Sequence, residues 1–220
     1  MLKRVAAIGV ILLLSGCAGM SKDECLYADW RAIGYEDGAA GRPVSAVSNR
    51  RAVCAKKAGV TVDMASYTAG RSQGLELYCQ PSRGFAVGSG GGAYYGVCAG
   101  PVEAGFVTAY QSGRQLFVLQ QAVAGIANEI RRAHADLNDV EHRIADAQAG
   151  LIAPKVPPEE RIQYLADLKA FSEEKGNIET ALIALNRDHV RAEEDLRDYQ
   201  DHLAFNEPYP GAARPISARY

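Results

Sequence analysis

Most of the chemistry available to this chain sits in its five cysteines. Cys17 closes the run Leu14-Ser15-Gly16-Cys17, which has the form of the bacterial lipobox, Leu-[Ala/Ser]-[Gly/Ala]-Cys. That spacing calls for cleavage before Cys17 and acylation of its thiol. Lys3 and Arg4 supply a positive leader, and Val5 to Leu14 form a ten-residue apolar run. Such a run is too short to span a bilayer as a mature helix and reads as a secretory signal, giving a leader over 1–16. Ala18 stands where an Asp would favour retention in the inner membrane of a Gram-negative cell. The expected location is therefore the cell envelope, lipid-anchored on the inner leaflet of the outer membrane and facing the periplasm.

Four cysteines remain after Cys17: Cys25, Cys54, Cys79 and Cys98. An even number in an exported chain implies disulfides, because the periplasm is oxidising. Three connectivities are open. The two local pairings, Cys25–Cys54 and Cys79–Cys98, are the expected ones, each contributing roughly 3 kcal/mol in the chain-entropy model. A zinc site is the competing reading, but the chain has no Cys-x-x-Cys pair and no His before His134. No metal and no cofactor are implied.

The elements that must position these residues change character along the chain. Residues 17–105 are rich in Gly, Tyr and Cys, and repeat an aromatic-then-glycine pattern. Trp30-x-x-Ile33-Gly34-Tyr35-x-x-Gly38-x-x-Gly41 is one instance, and Tyr67-x-x-Gly70-Arg71-x-x-Gly74-Leu75-x-x-Tyr78-Cys79 a second. Tyr110-x-x-Gly113-Arg114-x-x-Phe117 is a truncated third, and Gly84-Phe85-x-x-Gly88 with Tyr94, Tyr95 and Cys98 a looser fourth. Spacings of three and four put these residues on one helical face. Glycine there lets two backbones approach, and tight packing in a small stapled core is the expected use. Each glycine costs up to about 1 kcal/mol in a helix, so the packing must offset it. Residues 80–101, with Ser89-Gly90-Gly91-Gly92, read as a loop without the Lys and Ser/Thr of a P-loop.

Residues 106–205 follow a different rule. Leu116, Leu119, Val123, Ile126, Ile130, Ala133, Leu137, Val140, Ile144, Ala147 and Leu151 step by three and four, as a coiled-coil seam does. The prolines over 153–158 end that helix, and a second seam runs Leu165, Leu168, Phe171, Lys175, Ile178, Leu182, Leu185, His189, Ala192, Leu196, Tyr199, Leu203. Two long helices joined by a short proline turn fold back as an antiparallel hairpin, with Lys175 and His189 near the seam edge or fixing its register. Residues 206–220 read as a flexible tail. The expected fold is mainly α: a small disulfide-stapled Gly/Tyr-rich helical domain followed by a long antiparallel coiled-coil hairpin.

Charge narrows the partners. Residues 116–220 hold twelve basic and eighteen acidic side chains, an acidic balance that argues against nucleic acid. The four histidines, all on the hairpin, and the acidic run Glu193, Glu194, Asp195, Asp198, Asp201 read as solvated or seam residues.

Residues 25–117 resemble the domain-of-unknown-function 2799 family of proteobacterial lipoproteins. The likeness rests on Cys25, Trp30, Gly34-Tyr35-x-Asp37-Gly38-x-x-Gly41, Cys54, Asp63, the Tyr67–Cys79 motif, Gly84-Phe85, Gly88, Tyr94 and Val97-Cys98. It implies an envelope lipoprotein and assigns no reaction. One departure stands out: Asn49, Arg50 and Arg51 occupy the segment before Cys54 where the family has a His.

The leading expectation is an interaction protein whose hairpin binds a protein partner or a second copy. A glycan or peptidoglycan module is the rival, using Trp30, Tyr35, Tyr67, Tyr78, Tyr94 and Tyr95 as stacking faces. An enzyme needs a nucleophile–base pair or paired carboxylates, and Asp37, Asp63 and Arg71 are the motif-embedded charges that could serve. A structural ion pair among those three is the expected alternative.

Overall fold

The computed structural model describes residues 20–206; the lipobox at Cys17 and residues 207–220 lie outside them. Seven helices occur among the described residues: α1 (Lys22–Leu26), α2 (Trp30–Ala39), α3 (Ala46–Ala58), α4 (Met64–Tyr78), α5 (Pro81–Ser89), α6 (Pro101–Ile152) and α7 (Pro158–Asn206). They divide into two units, residues 20–80 with 94–103, and residues 81–93 with 104–206.

Local chemistry sets the helix starts. Asp29 caps α2, its Oδ1 accepting from the Arg31 and Ala32 backbone N–H groups at 3.0 Å. Asp63 caps α4 in the same way, accepting from Ala65 at 3.1 Å and Ser66 at 3.0 Å. Both satisfy donors that a helix N-terminus leaves orphaned. Proline is the first residue of α5, α6 and α7, where its fixed φ suits a helix start and its missing N–H costs nothing.

In the first unit α2 and α4 lie parallel and touch through their backbones. A Cβ placed on Gly34 would stand 2.0 Å from the Tyr67 carbonyl oxygen, and one on Gly38 2.2 Å from that of Arg71. Reciprocally, Cβ atoms on Gly70 and Gly74 would meet the Arg31 and Tyr35 oxygens at 1.9 and 2.1 Å. All four distances are far inside van der Waals contact, so only glycine permits this approach. At Gly41, where φ is +66°, the chain turns left-handed beneath the Tyr78 ring. Parallel neighbours need a crossover, and α3 supplies it. The disulfide Cys25–Cys54 ties α1 to α3, and Cys79–Cys98 ties the end of α4 to the segment before α6. Cys25, Trp30, Val47, Cys54, Val62 and Tyr67 form the buried core around the first of these.

The second unit corrects the loop reading of 80–101. Residues 81–89 are helical, because Gly84, Phe85 and Gly88 present a buried face to α6. The nine irregular residues after Gly91 remain non-helical. Beyond this pair α6 continues as one arm of an antiparallel helical hairpin with α7. The Tyr199 hydroxyl donates to the Ser112 carbonyl at 3.0 Å near its base, and the Tyr164 ring sits over Gly150 near its tip. Those contacts are 38 residues apart on α6, about 57 Å at 1.5 Å per residue. Between them Arg143 donates to Glu174 at 2.6 Å while stacking over Phe171, and Lys175 donates to Glu141 at 2.7 Å. Lys175 thus fixes register across the hairpin. Every α6 seam residue from Leu116 to Leu151 is buried or half-buried. On α7 the exception is Leu165, which is 56% exposed; Tyr164 takes the inward place because glycine at 150 leaves room for its ring. Leu203 and Leu116 close the base against Phe85 and Ala109.

Glycine should therefore act with opposite sign in two places. Gly34→Ala forces a methyl into backbone and is expected to destabilise by about 1–3 kcal/mol or more. At Gly125 a Cβ meets nothing within 4 Å, so Gly125→Ala should stabilise by up to about 1 kcal/mol through helix propensity. Chemical denaturation of the two variants checks both signs.

Candidate functional site

Where α2 crosses α4, one carboxylate is fully buried. Asp37 is 0% exposed and accepts four hydrogen bonds. Its Oδ2 takes the Tyr67 hydroxyl at 3.0 Å and Arg50 Nη1 at 2.5 Å. Its Oδ1 takes Arg42 Nη1 at 3.0 Å and Arg50 Nη2 at 3.2 Å. The Arg42 side chain is 55% exposed and that of Arg50 25%, so each guanidinium keeps one side in water. The third arginine, Arg71, donates from Nη2 to the Arg42 carbonyl at 2.9 Å.

The cluster joins four successive pieces of chain: α2 through Asp37, the following turn through Arg42, α3 through Arg50 and α4 through Tyr67. An ionised carboxylate survives burial only when paired and hydrogen-bonded, and removing its partners is expensive. Both oxygens are saturated here, so Asp37 offers no free lone pair to act as a general base. Burial, then the hydrogen bond to Asp37 and the negative charge of that group, push the Tyr67 hydroxyl up to about 12. A phenol held that high is a fixed donor. The arrangement positions helices.

The other sequence-identified residues disperse. Asp63 is the α4 cap, and its carboxyl is held below the usual range by the Ser66 backbone and side-chain hydrogen bonds. It makes no part of the Asp37 cluster. Arg71 reaches the cluster through a backbone carbonyl and forms no ion pair with Asp37. Trp30, Tyr67 and Tyr78 are buried in the first unit, so they present no face to a sugar ring. Tyr94 is half-buried, its hydroxyl donating to Glu103 at 3.4 Å and accepting from the Cys98 N–H at 3.1 Å. Tyr35 and Tyr95, 41% and 61% exposed, are the members of the aromatic set that face water.

Arg42 and Arg50 are the site residues that motif reading missed. Arg50 carried no local signal, lying 13 residues from Asp37. Arg42 carried none beyond following the Gly38-x-x-Gly41 turn. Among the described residues no group of three or more His, Cys, Asp or Glu side chains is placed to hold a metal ion.

Residues 29–115 match the family model described as a protein of unknown function (DUF2799). The match begins at the α2 cap and ends inside α6, so it takes in both helix pairs and leaves most of the hairpin outside. No curated protein and no solved structure gives a significant match.

The raised Tyr67 group makes a signed prediction about pH. Folding holds its proton above the ordinary value near 10, so its stabilising share is complete below pH 10. That share is lost as the pH rises from 10 towards 12. Tyr67→Phe should remove this alkaline component, leaving a flatter stability profile between pH 9.5 and 11.5 by denaturant titration. An unchanged profile would contradict the assignment.

Proposed function

We propose that this chain is a lipid-anchored envelope protein, acylated at Cys17 on the inner leaflet of the outer membrane, that works by binding a protein partner through the α6–α7 hairpin. The observation that carries the reading is the hairpin's far end. Ile152, Ile162 and Leu165 stand in water there, 80%, 68% and 56% exposed. Three large aliphatic side chains are thus exposed within fourteen residues of one helical turnaround, and exposed apolar surface of this kind marks interaction sites.

The flanks support the same reading. Paired charges such as Arg143–Glu174 and Lys175–Glu141 join the two arms along the shaft. The hydrogen bonds to Glu174 and Glu141 raise the Arg143 and Lys175 groups above their ordinary values, so both stay charged at any physiological pH. Attachment through Cys17 is supported by the lipobox Leu14-Ser15-Gly16-Cys17.

Two experiments test this. A photo-crosslinking residue at Ile152 or Ile162 should capture one discrete envelope protein, and the same probe at Arg132 on the shaft should capture far less. Adducts with the chain itself alone, or none at the tip, would contradict partner binding. Cells fed labelled palmitate should label the wild-type chain and not Cys17→Ala; a wild-type chain without label would remove the anchor.

A further inference from the structure

The two helix pairs are copies of one arrangement. Adding 50 to the α2 numbers gives α5, and adding 39 to the α4 numbers gives the start of α6. A Cβ on Gly34 would strike the Tyr67 oxygen at 2.0 Å; on Gly84 it would strike that of Phe106 at 2.4 Å. Gly38 and Gly88 meet the Arg71 and Tyr110 oxygens at 2.2 Å each. Gly74 meets the Tyr35 oxygen, and Gly113 that of Phe85, at 2.1 and 2.3 Å. The left-handed Gly41 lies under the Tyr78 ring, and the left-handed Gly91 under that of Phe117.

The turns match as well. Gly41 N–H donates to Gly38 and Gly91 N–H to Gly88; Arg42 N–H donates to Asp37 and Gly92 N–H to Val87. Arg71 reaches the Arg42 carbonyl at 2.9 Å, and Tyr110 reaches that of Gly92 at 3.1 Å.

Side chains differ in kind at several places, Arg42 against Gly92, Arg71 against Tyr110 and Gly70 against Ala109, and at the crossing the difference is between polar and apolar. Asp37 faces Tyr67 in the first copy. Val87 and Phe106 occupy the same two places in the second. Replacing a buried ionic group by apolar residues is often neutral for stability, and its best-attested use is in choosing partners and register. The second copy makes three of the four glycine contacts without any such group, with Ala109 at the place of Gly70, so that packing does not require one.

We infer that residues 30–117 are an internal duplication, and that the Asp37–Tyr67 pair against Val87–Phe106, together with Gly70 against Ala109, decides which helix each glycine face accepts. The glycine faces alone would allow α5 to pair with α4, whereas α2 against α6 would also set the Ala109 Cβ where Gly70 meets the Arg31 oxygen at 1.9 Å. Such an exchange would bury the Tyr67 hydroxyl against Val87 and strip Asp37 of that donor, leaving polar groups unpaired. It would also occur between chains. Pairs of this kind are parallel, and α5 follows α4 after two residues, Cys79 and Gln80. Two residues span at most about 7 Å, whereas a parallel return must cover the roughly 22 Å length of α4. The partner that this device excludes is therefore a second copy of the chain.

The test is to erase the difference. D37V/Y67F/A109G gives the first copy the second copy's residues at the crossing and removes the Ala109 methyl, and V87D/F106Y/A109G does the reverse. Each variant is refolded from denaturant with its disulfides re-formed, then sized by light scattering. Benzoylphenylalanine at position 35, in α2, reports which helix is adjacent. The wild-type chain should crosslink α2 to α4. At least one variant should give a species larger than wild type in which position 35 captures α6 peptides. Wild-type size with capture of α4 alone in both variants would overturn the inference. So would failure of both to regain helix, since the residues would then serve each pair's folding and not the choice between pairs.

Discussion

Two helices whose carbonyl oxygens lie where a neighbour's Cβ would be can only be built from glycine. That constraint organises the first half of this chain. It places Gly34, Gly38, Gly70 and Gly74 on facing surfaces, and it repeats with Gly84, Gly88 and Gly113. Each glycine costs helix propensity, about 1 kcal/mol. The return is close backbone contact with Cα–H···O geometry, seen also where small residues line helix pairs in membranes. Parallel pairing follows, and with it the need for crossovers, α3 in one copy and the segment after Gly91 in the other.

The remaining devices secure what the glycines bring together. The Cys25–Cys54 bridge sits in the same core as Trp30 and Tyr67, so the covalent staple between α1 and α3 and the apolar side chains of α2 and α4 share one core. Asp37 ties three segments with hydrogen bonds that no solvent-exposed pair would match, because its oxygens are removed from water. In the second unit the same task falls to Phe85, Ala109, Leu116 and Leu203, an apolar cluster that also roots the hairpin. The unit that carries the hairpin is thus held by packing, and the unit nearer the N-terminus by bridges and a polar cluster.

The hairpin was the most legible part of the sequence, since a seam stepping by three and four needs no tertiary information. Its one misplaced member, Leu165, fails because the last turn responds to Gly150 on the opposite helix, a long-range cause. The glycine faces were legible as faces. Their pairing was not, because all four instances share one pattern and only tertiary contact distinguishes them. Ala109 escaped notice because alanine stands where the other copies have glycine. Asp63 reads locally as a cap, three residues before Ser66, yet its place among motif residues suggested chemistry. Arg50 and Arg42 meet Asp37 from 13 and 5 residues away, and no local pattern announces such a meeting.

The most direct test of this account is a nuclear Overhauser measurement on the isotope-labelled protein. The built Cβ positions on Gly74 and Gly113 lie 2.6 Å from the Ala39 nitrogen and 2.7 Å from the Ser89 nitrogen. Strong cross-peaks from the Gly74 α-protons to the Ala39 amide, and from the Gly113 α-protons to the Ser89 amide, are predicted together. The absence of both, with the helices otherwise intact by chemical shift, would mean that the glycine faces do not meet and would contradict the account at its base.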